Sequence, residues 1–240
     1  MTNIYAECLN MTVAEKNKPG ASEQLRDRIK RVATKQFIIF GYRGVSYLDL
    51  AKQMEVTHSN IHYYFNTKSD LAAAVLEDFA TEMLDENRAI WTDPETTLRA
   101  KFISARDRYY RMYLRFNPEG EGYAPWALLS RFSADTEVLT SDMKWRIKTT
   151  LKELDAQIAE GLQLAVEKGE LKDETPLDGL TVQIASVFYL ASQSTKFDNG
   201  FRRFDTLLKT TSDCIDVAYG TAGAPSPWPR PRKPRGKLPR

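Results

Sequence analysis

His58 and His62 lie four residues apart inside V-T-H-S-N-I-H-Y-Y-F-N-T-K, the segment from Val56 to Lys68. Around them stand Thr57, Ser59, Asn60, Tyr63, Tyr64 and the closing Lys68. Imidazole, amide, hydroxyl and ammonium groups are the ones that hydrogen-bond base edges in a groove and phosphate oxygens along a strand. The i, i+4 spacing of the histidines also suits a metal pair on one helix face. Zinc needs further ligands, however, and the two cysteines, Cys8 and Cys214, are remote from this segment and from each other. Nucleic-acid contact is therefore the expected chemistry, and no metal is expected. Because imidazole titrates near pH ~6.5, such contacts would be pH-sensitive. The chain has no G-x-S-x-G, no H-E-x-x-H and no phosphate-cradling glycine loop, and both its histidines fall in this one segment. It is read as a non-enzyme with no cofactor.

These groups are useful only if short elements hold them outward. Tyr47 to Met54 is a short amphipathic run that buries Leu50, Ala51 and Met54. Ser46-Tyr47-Leu48-Asp49 reads as a capping box that starts it. After a tight break, Thr57 caps a second short helix able to bury only Ile61 and part of Phe65. Thr67-Lys68-Ser69-Asp70 is a second capping box, opening a long helix. Two short helices, the second with its polar and aromatic groups outward, form the pattern of a helix-turn-helix. A preceding helix from about Ser22 supplies Leu25, Ile29, Val32, Ala33, Phe37 and Phe40 at spacings of three and four, and Gly41-Tyr42-Arg43-Gly44 stops it.

Beyond Lys68 the periodicity stays helical. Leu71, Val75, Leu76, Phe79, Met83 and Leu84 mark one stripe. Asp93-Pro94 predicts a restart, a cap followed by a first-turn proline. Leu98, Phe102, Arg106, Tyr109, Tyr113 and Phe116 share the next face. A short segment, Ala124 to Phe132, follows, and then a long stripe from Leu139 to Ala165 ending at Lys168-Gly169. Thr175-Pro176-Leu177-Asp178 predicts the start of a nearly uncharged run through Ser194, and a last helix spans about Phe204 to Tyr219. No β-alternation of useful length appears. The fold expected is all-α, about nine helices. Its domains are a mobile arm (1–20), a helix-turn-helix domain (21–68), a larger helical domain (69–220) and a disordered Pro/Arg-rich basic tail (221–240).

The charge is unevenly spread. The net charge is +2, but Arg230 to Arg240 hold six basic residues and no acid, so the remainder carries 28 basic against 32 acidic. Between Ser22 and Lys68 there are eight basic and four acidic residues. A basic module on a mildly acidic body is the footprint of phosphate neutralisation. No run of ~18 apolar residues exists, so no membrane span is expected. The first ten residues lack a basic stretch followed by an apolar one, and the sparse cysteines fit a reducing compartment. The expected location is cytoplasmic.

From R-I-K-R-V-A-T-K-Q-F through G-Y-R-G-V-S-Y-L-D-L-A-K-Q-M-E-V to N-I-H-Y-Y-F-N-T-K-S-D-L, the chain resembles the TetR/AcrR-type bacterial transcriptional regulators. The resemblance is tight over about a fifth of the chain, and the rest is similar in its helical architecture, including A-V-E-K-G-E-L after the seventh helix. It implies three N-terminal helices that bind double-stranded DNA at a palindromic operator. It also implies a larger domain that binds a small-molecule effector and makes a homodimer through its last two helices. Carried over by residue, Ser46 and Tyr47 would meet phosphates at the second helix's N-terminus, and Thr57 would cap the recognition helix. His58, Ser59 and His62 would face base edges, Asn60 and Tyr63 the groove wall, and Tyr64 and Lys68 phosphates. Members of the family commonly carry tyrosine where this chain has His62.

Phe102, Arg106, Tyr109, Tyr113, Trp126, Phe132, Trp145 and Phe188 are the candidates for an effector cavity, with ordinary bundle core as the competing account. Arg106 is the most suggestive, since a charge on an apolar face is costly unless paired. It would either anchor an anionic effector or pair with an internal carboxylate. Ala185, Ser186, Ala191 and Ser192 in the uncharged run fit a core helix and a dimer face equally well. The expected function is that of a DNA-binding regulator, a repressor released by its effector. The alternative is a helical ligand-binding or assembly protein whose N-terminal module contacts a protein partner.

Overall fold

The computed structural model describes residues 21–197, 200–223 and 226–231. The arm expected over 1–20, and the tail beyond 231, lie outside the described residues. The described chain folds into ten α-helices and one 3-10 turn: α1 (Ala21–Phe40), α2 (Tyr47–Met54), α3 (His58–Tyr64), α4 (Lys68–Trp91), α5 (Leu98–Leu114), α6 (Leu128–Ala134), α7 (Ser141–Glu167), α8 (Leu177–Tyr189), α9 (Ala191–Phe197) and α10 (Arg202–Tyr219). Among the described residues the only β pairing is two isolated bridges, Glu121 with Gly200 and Leu171 with Gly220. No described helix is long and apolar enough to cross a membrane.

Two apolar cores hold the helices. The first joins α1 to α3 with the first half of α4, α6 and the first half of α7; Ile29, Phe37, Leu50, Ile61, Leu71, Phe132 and Ile147 belong to it. The second joins the end of α4 and α5 to the second half of α7, α8 and α10, around Trp91, Phe102, Tyr113, Ile184 and Phe204. Helices α4 and α7 run through both. The packing therefore does not break at Lys68, because α4 completes the core of the three N-terminal helices.

On α1, Ile29, Ala33 and Phe37 are fully buried. The next position on that line is Gly41, not Phe40, which is 53% exposed. α6 approaches so closely there that a Cβ on Gly41 would lie 2.7 Å from Asp135 Oδ2 and 2.9 Å from Arg131 Nη2. Gly41 also takes φ of 76°, the left-handed conformation that ends α1.

Several expected boundaries shift. Asp93-Pro94 makes a turn in which Asp93 Oδ1 accepts from the Glu95 amide at 2.9 Å. α5 begins later, at Leu98, with Thr97 as its cap accepting from Ala100 N. The segment expected from Ala124 starts as a helix only at Leu128. Pro176 occupies the cap position of α8, and the Thr175 hydroxyl bonds backward to Lys172 O at 2.5 Å rather than forward into the helix. The uncharged run is two helices, broken at Leu190. Neither glycine nor proline marks that break in Y-L-A-S.

The expectation of a wholly disordered tail fails over its first part. Thr221 N donates to Glu170 O at 3.1 Å. Further on, Trp228 packs between two arginine heads of α5, 4.9 Å from Arg99 and 5.1 Å from Arg106, and its Nε1 donates to Asp205 at 2.9 Å. Composition alone gave this stretch little to bury. The tryptophan finds its burial on groups that other helices place.

Candidate nucleic-acid interface and cavity

The recognition segment is clamped at both ends. Thr57 Oγ1 accepts from Asn60 N at 3.2 Å and opens α3. Ile61 is fully buried beneath it. At its far end Phe65 is buried, with Arg26 stacked 5.2 Å from the ring centroid. Glu55 makes the sharp break between α2 and α3 in the left-handed region, φ 56°, its amide bonded to Ala51 O and Lys52 O. Arg28 Nη2 donates to Met54 O at 3.1 Å and satisfies a last carbonyl of α2. With its buried side thus fixed, α3 leaves His58, Ser59, Asn60, His62 and Tyr63 facing solvent. Tyr63 is 81% exposed, with its ring edge-on to half-buried Tyr64 at 5.0 Å.

The histidines form a small aromatic group with Tyr47. His58 and His62 centroids are 4.5 Å apart, and Tyr47 lies 4.9 Å from His62. His62 Nδ1 sits 3.0 Å from Asn66 O. A carbonyl only accepts, so Nδ1 carries the proton in this pairing, leaving Nε2 of the neutral ring as an acceptor. Among the described residues no cluster of three His, Cys, Asp or Glu side chains is placed to hold a metal.

Two expected phosphate contacts have other work. Tyr47 is buried, and its hydroxyl donates to Phe65 O at 3.1 Å and to Thr67 O. Burial, with the nearby Asp70 charge, pushes this phenol well above its usual range, so it stays a donor. Tyr47 holds the end of the recognition helix to α2, leaving only its backbone amide for an anion. Lys68 Nζ donates to Tyr42 O at 3.1 Å and lies 4.6 Å from that ring, tying α4 to the loop after α1. Ser46 caps α2 by accepting from Asp49 N, but the Asp49 carboxylate accepts in return from the serine hydroxyl, at 2.5 Å, rather than from the serine amide. The box at Thr67 and Asp70 is complete.

Away from this face, a cavity of about 440 Å³ opens between α4, α5, α6, α7, α8 and α9. Of the eight expected lining residues, Tyr109, Trp126 and Phe188 line it and the other five do not. Phe102 packs on Trp91 at 5.4 Å, and Tyr113 donates to Gly122 O at 2.8 Å. Phe132 is in the first core, 5.5 Å from Phe37, while Trp145 is 65% exposed. Arg106 is fully buried and takes the internal option: it pairs with Asp107 at 2.7 Å and Asp205 at 3.3 Å and donates to Pro229 O. Sequence reasoning missed the rest of the lining, among it Met83, Met112, Ser130, Ser133, Ser192 and Gln193. Small polar and methionine residues carry no signal until the helices are assembled.

α6 serves two sites. Leu129, Ser130, Ser133 and Ala134 line the cavity. Phe132 meanwhile packs on Phe37, Asp135 Oδ2 accepts from Tyr42 N at 2.9 Å, and Arg131 reaches Ile39 O at 3.5 Å. The cavity wall and the end of α1 are thus opposite sides of one seven-residue helix.

Exposed apolar groups lie on α8 and α10: Val182 on the first, with Leu190 just past its end, and Leu207 and Val217 on the second. Of the small residues that fitted a core helix and a dimer face equally well, Ala185, Ala191 and Ser192 are buried and only Ser186 is exposed.

Residues 29–75 match the model of the bacterial regulatory proteins of the tetR family. No curated protein matches the chain. Solved structures with the same fold include a TetR-family transcriptional regulator from Agrobacterium tumefaciens (TM-score 0.70, 15% identity, 81% of this chain and 98% of that one). The reduced form of E. coli NemR is similar too (TM-score 0.67, 18% identity, 83% and 98%). So is a regulator from Saccharomonospora viridis in complex with choline (TM-score 0.68, 15% identity, 83% and 99%).

Proposed function

We propose, on the premise that this chain is a transcriptional regulator of the TetR/AcrR type, that it is a homodimeric repressor released from a palindromic operator by a small molecule. The observation that carries the reading is the α3 face. Five polar or aromatic side chains stand outward on a helix anchored through Thr57, Ile61, Phe65 and Tyr47. His58, Ser59 and His62 are assigned to base edges, Asn60 and Tyr63 to the groove wall, and Tyr64 to phosphate. Ser46 and Lys68 contact phosphate in addition to their internal bonds. Exposed Arg31, Lys35 and Lys52 add the sequence-independent attraction.

One α3 covers few bases, and a two-fold pair spaces two of them about 34–36 Å apart on successive major grooves. The exposed apolar stripes of α8 and α10 supply the pairing surface. Release follows from α6. A molecule in the cavity presses on Ser130 and Ser133, and the same helix grips α1 through Phe132, Asp135 and Arg131. The ligand therefore favours the conformation in which that grip differs, and the spacing of the two α3 helices changes with it. A gel shift on the region upstream of its own gene tests the reading. A band that weakens with salt and is lost when Tyr63 is replaced by alanine supports it; no retarded band at low salt sinks it.

A further inference from the structure

The charge inventory around the cavity is unusual for a protein with 66 charged residues in 240. Not one Asp, Glu, Lys, Arg or His lines it. We infer that its occupant is an uncharged, mainly apolar ring compound carrying one or two hydrogen-bonding groups. This rests on the effector reading above and specifies its chemistry.

Arg99, Arg106 and Arg108 of α5 have carboxylate partners of their own. Arg106 is held by Asp107, Asp205 and Pro229 O. Arg99 is held by Asp213, Asp216 and Ser226 O, and Arg108 pairs with Glu86 at 2.5 Å. An anion entering the cavity would give up part of its water and find no counter-charge among the lining residues, a cost that works against it. A quaternary cation would need aromatic faces spread around it within about 6 Å. Five rings line the cavity, but three of them are packed on one another: Tyr109 lies 5.0 Å from Phe188 and 5.8 Å from Trp126, edge-on to the latter. Phe79 and Tyr189 remain outside that group, and no lining carboxylate offsets a positive charge.

What the cavity does offer is apolar surface with a polar corner. Phe79, Met83, Met112, Leu129 and Phe188 give the first, and the methionines adapt to irregular shapes. Ser130 and Ser133 on α6, Ser192 and Gln193 on α9, and the Tyr109 phenol give the second. Among the described residues no hydrogen bond engages the Tyr109 hydroxyl. Burial raises its pKa, so it remains a neutral donor. The volume of about 440 Å³ lies in the ~300–1,000 Å³ range of drug-sized ligand sites.

Two dyes sharing one frame separate charge from shape: neutral N-phenyl-1-naphthylamine and anionic 8-anilino-1-naphthalenesulfonate, titrated by fluorescence into the full chain. The neutral dye should saturate, with the sulfonate weaker by about a hundredfold. Benzyltrimethylammonium should fail to displace the neutral dye. Ser130→Phe, or Ser133→Phe if the first does not fold by circular dichroism, should abolish neutral-dye binding, and Ser130→Arg should shift preference toward the sulfonate. Comparable or tighter sulfonate binding blocked by Ser130→Phe, or displacement by the ammonium, overturns the inference and leaves the effector reading standing. Absence of saturable binding by the neutral dye also overturns it. Neutral-dye binding that leaves DNA affinity unchanged upholds the cavity chemistry and removes the release mechanism.

Discussion

At the scale of single residues, the sharpest contrast is between Tyr47 and Tyr63, both expected at the DNA. Tyr47 is structural. Tyr47→Phe removes the donor to Phe65 O and Thr67 O and is expected to lower stability by about 1–2 kcal/mol. Urea unfolding measures that loss, and a shift in DNA affinity no larger than the loss of folded protein is the companion result. His62 is the opposite case. It is exposed, and its Nδ1 is spent on Asn66 O, so in the proposed complex the neutral ring would present an acceptor to the groove. An acceptor there meets the amino group of adenine or cytosine. His62→Ala should cost about 1–3 kcal/mol of specific DNA affinity and relax preference at one base pair per half-site. Selection of binding sites from random duplexes with both proteins would show it, and an unchanged site profile would remove His62 from base reading.

Among elements, α5 and α10 show how burial sorts two carboxylates on one helix. Asp213 and Asp216 both face Arg99, at 2.5 and 3.4 Å. Burial works against both charges. At Asp213 the hydrogen bonds from Lys209 and Arg99 overcome it and hold the carboxyl below its ordinary value. At Asp216 burial wins and the carboxyl sits above it. The signs then differ. A lowered folded pKa means that Asp213 stabilises the fold above the unfolded pKa near 3.8 and loses that contribution as pH falls through the folded value. A raised one means that charged Asp216 costs stability at neutral pH and regains it on acidification. Asp213→Asn should destabilise by about 1 kcal/mol at pH 7, whereas Asp216→Asn should be neutral or stabilising there; thermal melts at pH 7 and pH 4 compare them. None of this was readable in T-T-S-D-C-I-D-V, because both values depend on an arginine more than a hundred positions away. The helix starts were legible where the signal is local, as at Thr57 and Thr67, whose caps bond within three residues. They were misplaced at Asp93 and Thr175, where a cap-like residue bonds within a turn instead. The recognition face was legible for a related reason: α3 is short and has one buried side. The cavity was not, since six helices meet there and only three of eight expected residues line it.

For the whole molecule, the pairing surface and the tail make separate predictions. Val217 is 76% exposed on the outer face of α10. Val217→Asp should weaken the dimer by at least about tenfold, because a buried unpaired charge is costly. Analytical ultracentrifugation would detect the monomer, and specific DNA binding should fall with it; an unaltered sedimentation profile would place the interface elsewhere. The tail prediction concerns stability. Ending the chain after Gly223 removes Trp228 and two carbonyl acceptors from Arg99 and Arg106, and should lower stability by about 2–3 kcal/mol. The same docking sets an order of events during synthesis. Arg99 and Arg106 of α5 await partners more than a hundred positions further along the chain. Until Ser226 to Pro229 have been made and have left the ribosome, α5 is without its final cover.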